Sequence, residues 1–506
     1  MNRYPPPNVN PFNILAEGIS RLKILDGKLF SVSAEARRSL HTSEQDAAVL
    51  TEAQRFFARS FSTLPDRNAL IRSGLPPEYR KAITTWTHYD DFCHLLNVLK
   101  LYEARFAAQH IDWKEAWPGI LVQHFPIFRT SGPQEFEALN DNAPQTGIAV
   151  LPPFLGIDRG KKFSWDRQPG VHTEFSNFSY LELDTLQYGG EPYLARHAFL
   201  SSIDLPQVDG PQFSKTGRML RIAFCPLGCR NLLRWETYRE DGQNRFRICG
   251  VRDEDVLKRR IRAAMQEAAR NQAQIVIFPE MLGTADIVSA DFFFALADEL
   301  RKLGLPMPAM TLLPSWWHDD RNELYVRGGD GRLLCVQEKQ FPYYHREHGE
   351  LWAEDLRHTR RVIHVVHVPG LGRFGFPICR DFLIDGYVRL MLEKLHVNFL
   401  LCPSFSSHKS QFFHTGLSPI SYGCYSHWCN ACAAGFRDGK PAAFLGYASG
   451  PMEPGQPSSQ LLSPNCKGQC TDPDRPCVFL TDIDVAAAAD DSVRRTILLP
   501  PKHCGF

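Results

Sequence analysis

The chain has 506 residues, 43% hydrophobic and 22% charged, with 57 Lys and Arg against 56 Asp and Glu for a formal net charge of +1. This composition excludes wholesale disorder, and the near-zero charge speaks against a nucleic-acid binder held by bulk electrostatics. No run approaches about eighteen apolar residues and the opening MNRYPPPNVNPF has no apolar core, so neither a membrane span nor a secretory signal is expected.

In a chain without an export signal, the 14 scattered cysteines read as reduced thiols of a cytoplasmic protein. Residues 1–42 form a Pro-rich arm. Ser43, with Asp46 three positions on, resembles a helix start, and Val49, Leu50, Ala53 and Phe57 share one face. After Pro76-Pro77, Tyr79, Ile83, Trp86, Phe92, Leu96, Leu99, Tyr102 and Phe106 recur at helical spacing. That aromatic stripe is better explained by core packing than by a partner groove. Residues 119–128 and 147–155 read as strands, and the Pro-, Gly- and polar-rich DLPQVDGPQFSKTGR at 204–218 reads as a linker. Residues 43–215 are therefore a mixed, largely helical N-terminal region without a catalytic motif.

Beyond the linker, strands and helices alternate. Residues 220–224 (LRIAF) form a buried strand, and Asp253 caps a helix with Val256, Leu257, Ile261, Ala264, Met265 and Ala268 on one face. On that helix Arg259, Arg260, Glu267 and Arg270 point away. Strands follow at 275–278 and 310–313, with a helix at 292–303 between them. Residues 324–326 and 333–337 make a hairpin around GGDG, and strands at 362–368, 374–378 and 398–402 surround a helix at 385–395. Such alternation implies an α/β layered domain.

Three polar residues end apolar strands: Glu280 after IVIFP, Lys339 after LLCVQE and Cys379 after FGFPI. Strand ends are where side chains leave the core and converge on a crevice. A carboxylate that takes a thiol proton, a thiolate that attacks a carbonyl or nitrile carbon, and an ammonium that stabilises the developing charge form a workable nucleophilic set.

In this order and context the sequence resembles the carbon–nitrogen hydrolase (nitrilase) superfamily over about 219–490. QAQIVIFPEMLG is similar to the segment carrying that family's base, and RNELYVRGGDGRLLCVQEKQF to its Asn-containing hairpin leading to the Lys. LGRFGFPICRDF is similar to the nucleophile segment, LLCPSFS to the next strand with its Pro-Ser end, and VFLTDIDV to the closing strand. The resemblance implies an αββα sandwich of the nitrilase type, with residues 491–506 as a tail and a triad of Glu280, Lys339 and Cys379. It also implies a second glutamate shortly after the Lys, beyond a Pro, that orients the site. In KQFPYYHREHGELWAEDL the choice is Glu347, with Glu350 and Glu354 as rivals. The backbone N–H of Arg380 would join Lys339 in holding an oxyanion, and Arg380, Asp381 and Ser404 would meet the substrate. Asp381 leans toward an amidase and away from the nitrile-specialised members.

What the resemblance implies is hydrolysis of a non-peptide amide through a thioester, with a small-molecule amide as substrate, no cofactor and a homo-oligomeric assembly. Two alternatives stand beside it: a silent nitrilase-like scaffold that binds a ligand or partner, and amide-forming acyl transfer by the same triad. The N-terminal region is open to roles in access, assembly or protein-partner binding. No metal is expected, because Cys424, Cys429 and Cys432, and Cys466 with Cys470, lack paired zinc-ligand spacing. His345 and its neighbours could edge the site and tune its charge, while His364 and His367 fall within a strand and read as packing.

Overall fold

The computed structural model describes residue 18, residues 148–151 and 179–182, and residues 186–506 apart from 201–202, 207–216, 228–232, 348, 369–370, 408, 436–443, 451–458, 464–473, 487–497 and 505–506. The helices expected from Ser43 and after Pro77, the strand at 119–128 and most of the linker lie outside the described residues. The chain divides into two compact units. The first holds most of residues 1–186, and its described strands, Ile148–Leu151 and Ser179–Glu182, pair antiparallel with Ile148 opposite Glu182.

The second unit takes in residues 187–506 and is mixed α/β. One sheet runs in the order Trp316–His318, Arg321–Gly328, Met310–Leu312, Ile275–Ile277, Gly217–Phe224, Val478–Ala486 and Leu498–Cys504, with Leu333–Glu338 also paired to Arg321–Gly328. Its centre is parallel: Ile275 lies between Ile222 and Met310. A second sheet runs Ser459–Leu461, Gly446–Ser449, Tyr425–Asn430, Phe399–Ser404, Gly372–Gly375, Val362–Val368 and Leu194–Phe199. The last of these pairs in parallel with Val362–Val368, so this unit begins upstream of the linker. Residues 498–504, read from the sequence as part of a tail, are likewise a strand of the first sheet.

Strand alternation sorts the side chains. Ala223, Val276 and Phe278 join Leu257, Ile261, Ala264, Met265, Phe292 and Leu296 in one apolar cluster, so helices Glu254–Arg270 and Ala290–Lys302 cover one face of the first sheet. Phe224 points the other way, its ring 5.8 Å from that of His427 on the second sheet. On the far side of that second sheet, Trp428 stacks at 4.8 Å on Phe412 of helix Lys409–Leu417. Asp253 caps its helix as expected, accepting from the Val256 N–H at 3.0 Å. Arg260, expected to point outward, is buried. It sits three residues after Leu257 and four before Ala264, on the same stripe of the helix.

Four imidazoles are sealed in these layers. His197 and His367 share a 2.9 Å hydrogen bond, and His427 has no hydrogen-bond partner among the described residues. Burial holds His197, His364 and His427 down to about 3 and His367 well below its ordinary value. In the unfolded chain each titrates near ~6.5, so between these limits the unfolded state binds more protons. Their contribution to stability is complete above about pH 6.5 and is lost as pH falls, by up to ~1.4 kcal/mol per pH unit for each group. Asp381, pushed up to about 7 by burial, and Glu354, also raised by burial, act in the opposite sense, but the imidazoles outnumber them. The melting temperature should therefore fall from pH 7 to pH 4.5 in thermal scans, and His427→Leu should flatten that slope. A melting temperature independent of pH over this interval would contradict the assignment.

Candidate active site

Ile275–Ile277 is buried on both faces. Pro279 cannot donate to a sheet ladder, and the chain leaves the sheet there, carrying Glu280 into a fully buried position. Met281 then takes a left-handed φ of +67°, its N–H donating to Ser315 Oγ at 2.8 Å. Close approach continues at Gly283, where a Cβ would lie 2.5 Å from the Pro314 carbonyl oxygen. Lys339 follows Leu333–Glu338, its backbone N–H donating to Asn322 O at 2.8 Å.

The Lys339 ammonium is buried between two carboxylates. Nζ donates to Glu280 Oε1 at 2.7 Å and to Glu354 Oε2 at 2.5 Å. Glu280 also accepts from Asn322 Nδ2 at 2.9 Å and from the Phe405 N–H at 2.8 Å, and Glu354 accepts from the Tyr343 N–H at 2.9 Å. Both carboxylates are thus fixed by backbone as well as by the ammonium.

Cys379 opens the turn Cys379–Leu383 after strand Gly372–Gly375, with a left-handed φ of +48° and only 2% exposure. A non-glycine residue in this conformation is strained and must be held by its surroundings. The Ser404 hydroxyl donates to Cys379 Sγ at 3.2 Å. Asp381, two residues on, accepts from the N–H groups of Gln340 at 3.0 Å, Phe341 at 2.9 Å and Ile378 at 3.3 Å. This carboxyl ties the loop after Lys339 to the turn that carries Cys379.

The charges are coupled. Burial alone would lower the Lys339 ammonium, but Glu280 and Glu354 outweigh it and hold the group well above its usual value. Burial pushes the Cys379 thiol up and Glu280 adds to this, while Lys339 and the Ser404 hydrogen bond oppose it. The resting sulfur is therefore a thiol, and a base must take its proton before it attacks. A carboxylate, an ammonium and a protonated thiol held in this way are suited to nucleophilic attack on a polarised carbon.

Glu280, Lys339, Cys379 and Ser404 lie together: Lys339 on Glu280, Ser404 on Cys379, and Phe405, next to Ser404, on Glu280. Glu347 does not stand where its expected role requires. It pairs with Glu350 near the turn of the hairpin Tyr344–Glu347/Glu350–Glu354, three residue pairs from the Tyr344–Ala353 end. Glu354, just past that end, bonds Lys339, while exposed Glu350 accepts from Asn244 Nδ2 at 3.1 Å. Asp381, expected to meet substrate, is turned onto backbone N–H groups. Arg380 is half-buried with its guanidinium 4.7 Å from the centre of the Tyr344 ring. Asn322 is the asparagine of the hairpin that the sequence set before Lys339, whereas the parts played by Tyr343 and Phe405 had no sequence signal of their own, since both act through backbone. Among the described residues no three His, Cys, Asp or Glu side chains are grouped to hold a metal ion.

No family model and no curated protein matches the chain. Among solved structures it is similar to an amidase of the nitrilase superfamily from Nesterenkonia sp. AN1, at 16% identity over 46% of this chain and 83% of that one, with a TM-score of 0.32. A variant of that amidase with the acetamide moiety of fluoroacetamide covalently added at its active-site cysteine is similar at 16% identity over 56% and 96%, with a TM-score of 0.36. Glutamine-dependent NAD+ synthetase from Acinetobacter baumannii is similar at 16% identity over 56% and 47%, also with a TM-score of 0.36.

Removing the central ammonium leaves two buried carboxylates facing each other. Lys339→Met should lower the unfolding free energy by about 3–5 kcal/mol, the range for one partner removed from a buried ion pair. Lys339→Met combined with Glu354→Gln should lose less than the two single losses together, because the repulsion disappears with the second charge. Urea unfolding of the four proteins measures this, and strict additivity would show that the groups do not act on one another.

Proposed function

We propose that this chain is a cysteine-dependent carbon–nitrogen hydrolase acting on a non-peptide amide, built on an αββα sandwich of the nitrilase type. The observation that carries this reading is the buried Lys339, held between Glu280 and Glu354 and coupled in charge to the thiol of Cys379. Helices outside each of two facing sheets support the layered fold, and the convergence of residues far apart in sequence supports the triad.

In this reading Glu280 takes the Cys379 proton as sulfur attacks the amide carbon. The C–S bond forms, the carbonyl π electrons move to oxygen, and Lys339 with the Arg380 backbone N–H holds the oxyanion. The oxyanion collapses, the C–N bond breaks, and the departing ammonia or amine leaves with the proton from Glu280. The product is a thioester on Cys379. Water, deprotonated by Glu280, adds to the thioester, and collapse of the second oxyanion returns the thiol and releases the carboxylic acid. Glu354 holds Lys339 on the line of this chemistry, and Asp381 keeps the two loops in register.

The experiment is ammonia release from a series of primary amides by wild type, Cys379→Ala and Glu354→Gln. Cys379→Ala should abolish turnover, and Glu354→Gln, which frees Lys339 to shift from the oxyanion, should lower kcat by roughly 10²–10³, the scale on which loss of one oxyanion donor acts. With a substrate that turns over, quenching with hydroxylamine should yield the hydroxamate from the acyl-enzyme. Full turnover by Cys379→Ala would overturn the reading, and so would wild type that neither releases ammonia from any amide nor reacts with haloacetamides at Cys379.

A further inference from the structure

Strands Leu233–Glu240 and Gln243–Val251 form a hairpin, and Glu350–Glu354 adds to it in parallel, so that with Tyr344–Glu347 four strands share a small sheet. Cross-strand partners lie on the same face. Phe246 is opposite both Thr237 and Glu354, and Ile248 is opposite Trp235. Trp235, Phe246 and the site residue Glu354 are therefore on one face. The other face is charged. There the buried Asp355 carboxylate accepts from the Tyr238 hydroxyl, from Arg245 Nη1 at 3.2 Å and from Arg357 Nε at 2.6 Å. These bonds clamp the hairpin to the strand whose neighbouring residue holds Lys339.

The face shared with Glu354 starts a chain of rings. The Trp235 ring is 5.6 Å from that of Phe246 and 6.0 Å from that of Phe405, and Phe246 is 6.5 Å from Tyr343. Phe405 and Tyr343 are the two residues whose backbone N–H groups bind Glu280 and Glu354. The row Phe405–Trp235–Phe246–Tyr343 therefore begins at one carboxylate of the Lys339 pair and ends at the other. Phe246 is buried and Phe405 and Tyr343 are half-buried, whereas Trp235 remains 48% exposed. An indole left half in water, on the apolar face of its sheet, is free to bury further area against a ligand.

We propose that this arc of rings is the wall against which the non-reacting part of the substrate lies, so that the site selects amides bearing a flat apolar group, with Trp235 as a specificity-determining residue. The inference rests on the reading of Cys379 as nucleophile and adds the class of substrate that reaches it. Four aromatic rings in a row offer contact area and edge-to-face partners to an aryl group, and little to a short polar amide.

The test is alkylation of Cys379 by iodoacetamide and by N-phenyl iodoacetamide, followed by peptide mass spectrometry and normalised to the rates of free cysteine. Wild type should favour the phenyl reagent at Cys379 by roughly tenfold or more, in line with the discrimination an apolar pocket supplies. Trp235→Ala should remove most of that preference and Trp235→Phe should keep it, while the iodoacetamide rate at Cys379 stays unchanged in both. Exposed Cys249 reports the behaviour of a thiol outside the site. Labelling of Cys379 without phenyl preference, or with a preference that Trp235→Ala leaves intact, overturns the aromatic wall alone. If neither reagent labels Cys379, the nucleophile reading falls and the wall with it.

Discussion

Everything in the second unit is arranged around one ammonium taken out of water. Burying Lys339 is costly unless its charge is matched and its protons are satisfied. The match comes from Glu280 at the end of one strand and Glu354 at the end of another. Each carboxylate is held in turn by a backbone N–H, from Phe405 and Tyr343, so the charges are fixed by main chain that the sheets position. A shift of any one of these strands would strand a charge in the interior. The cluster thus specifies the register of the fold as well as its chemistry.

The same logic explains where strain is tolerated. Met281 and Cys379, each at the end of a buried strand, sit in the left-handed region, where side chains with a Cβ pay a conformational penalty. Both turns are held by hydrogen bonds from other elements: Ser315 captures the Met281 N–H, and Asp381 gathers the N–H groups of Ile378, Gln340 and Phe341. Asp381 therefore acts as a strut between the lysine loop and the thiol turn. Its burial is the reason its carboxyl is raised, and three backbone donors are what make that burial tolerable.

Strand ends were the most legible feature of the sequence, because a fully apolar run stopped by Pro-Glu, or by Pro-Ile-Cys, leaves few structures open. The capped helix Glu254–Arg270 was legible for the same reason, with Asp253 and a clear 3.6-residue period preceding any tertiary context. The second glutamate was not. In YYHREHGELWAED the chain turns back at Gly349, whose φ is +86°, so Glu350 faces Glu347 and Glu354 returns to the level of Tyr343, whose carbonyl accepts its N–H at 2.8 Å. Counting residues from Lys339 favours Glu347, but a hairpin makes the later residue the nearer one. His-Gly between polar-apolar alternations was the available signal. The hairpin Leu233–Glu240/Gln243–Val251 and the strand Leu194–Phe199 escaped for another reason. Their faces are mixed, and although the hairpin strands pair with each other, the strands they join the rest of the fold through lie over a hundred residues away, as Trp352 does from Asn244 and Val362 from Leu194.

The electrostatics of the cluster are also compatible with the proposed reaction, which starts from a protonated thiol. Sulfur is buried and lies in the field of Glu280, and both raise its pKa, while Lys339, the opposing charge, is already shared between two carboxylates. A preformed thiolate would place a third anion beside one cation. In the proposed reaction the proton passes to Glu280 during attack, and no new charge is created. Negative charge leaves the carboxylate and reappears on the substrate oxygen, with Lys339 close to both positions. Because the ammonium is already oriented and dry, little reorganisation accompanies the transfer, which is the condition under which fixed charges lower a barrier most. In the proposed reaction an amide carbonyl close to Lys339 is what makes the proton transfer favourable, which ties reactivity at Cys379 to a bound substrate.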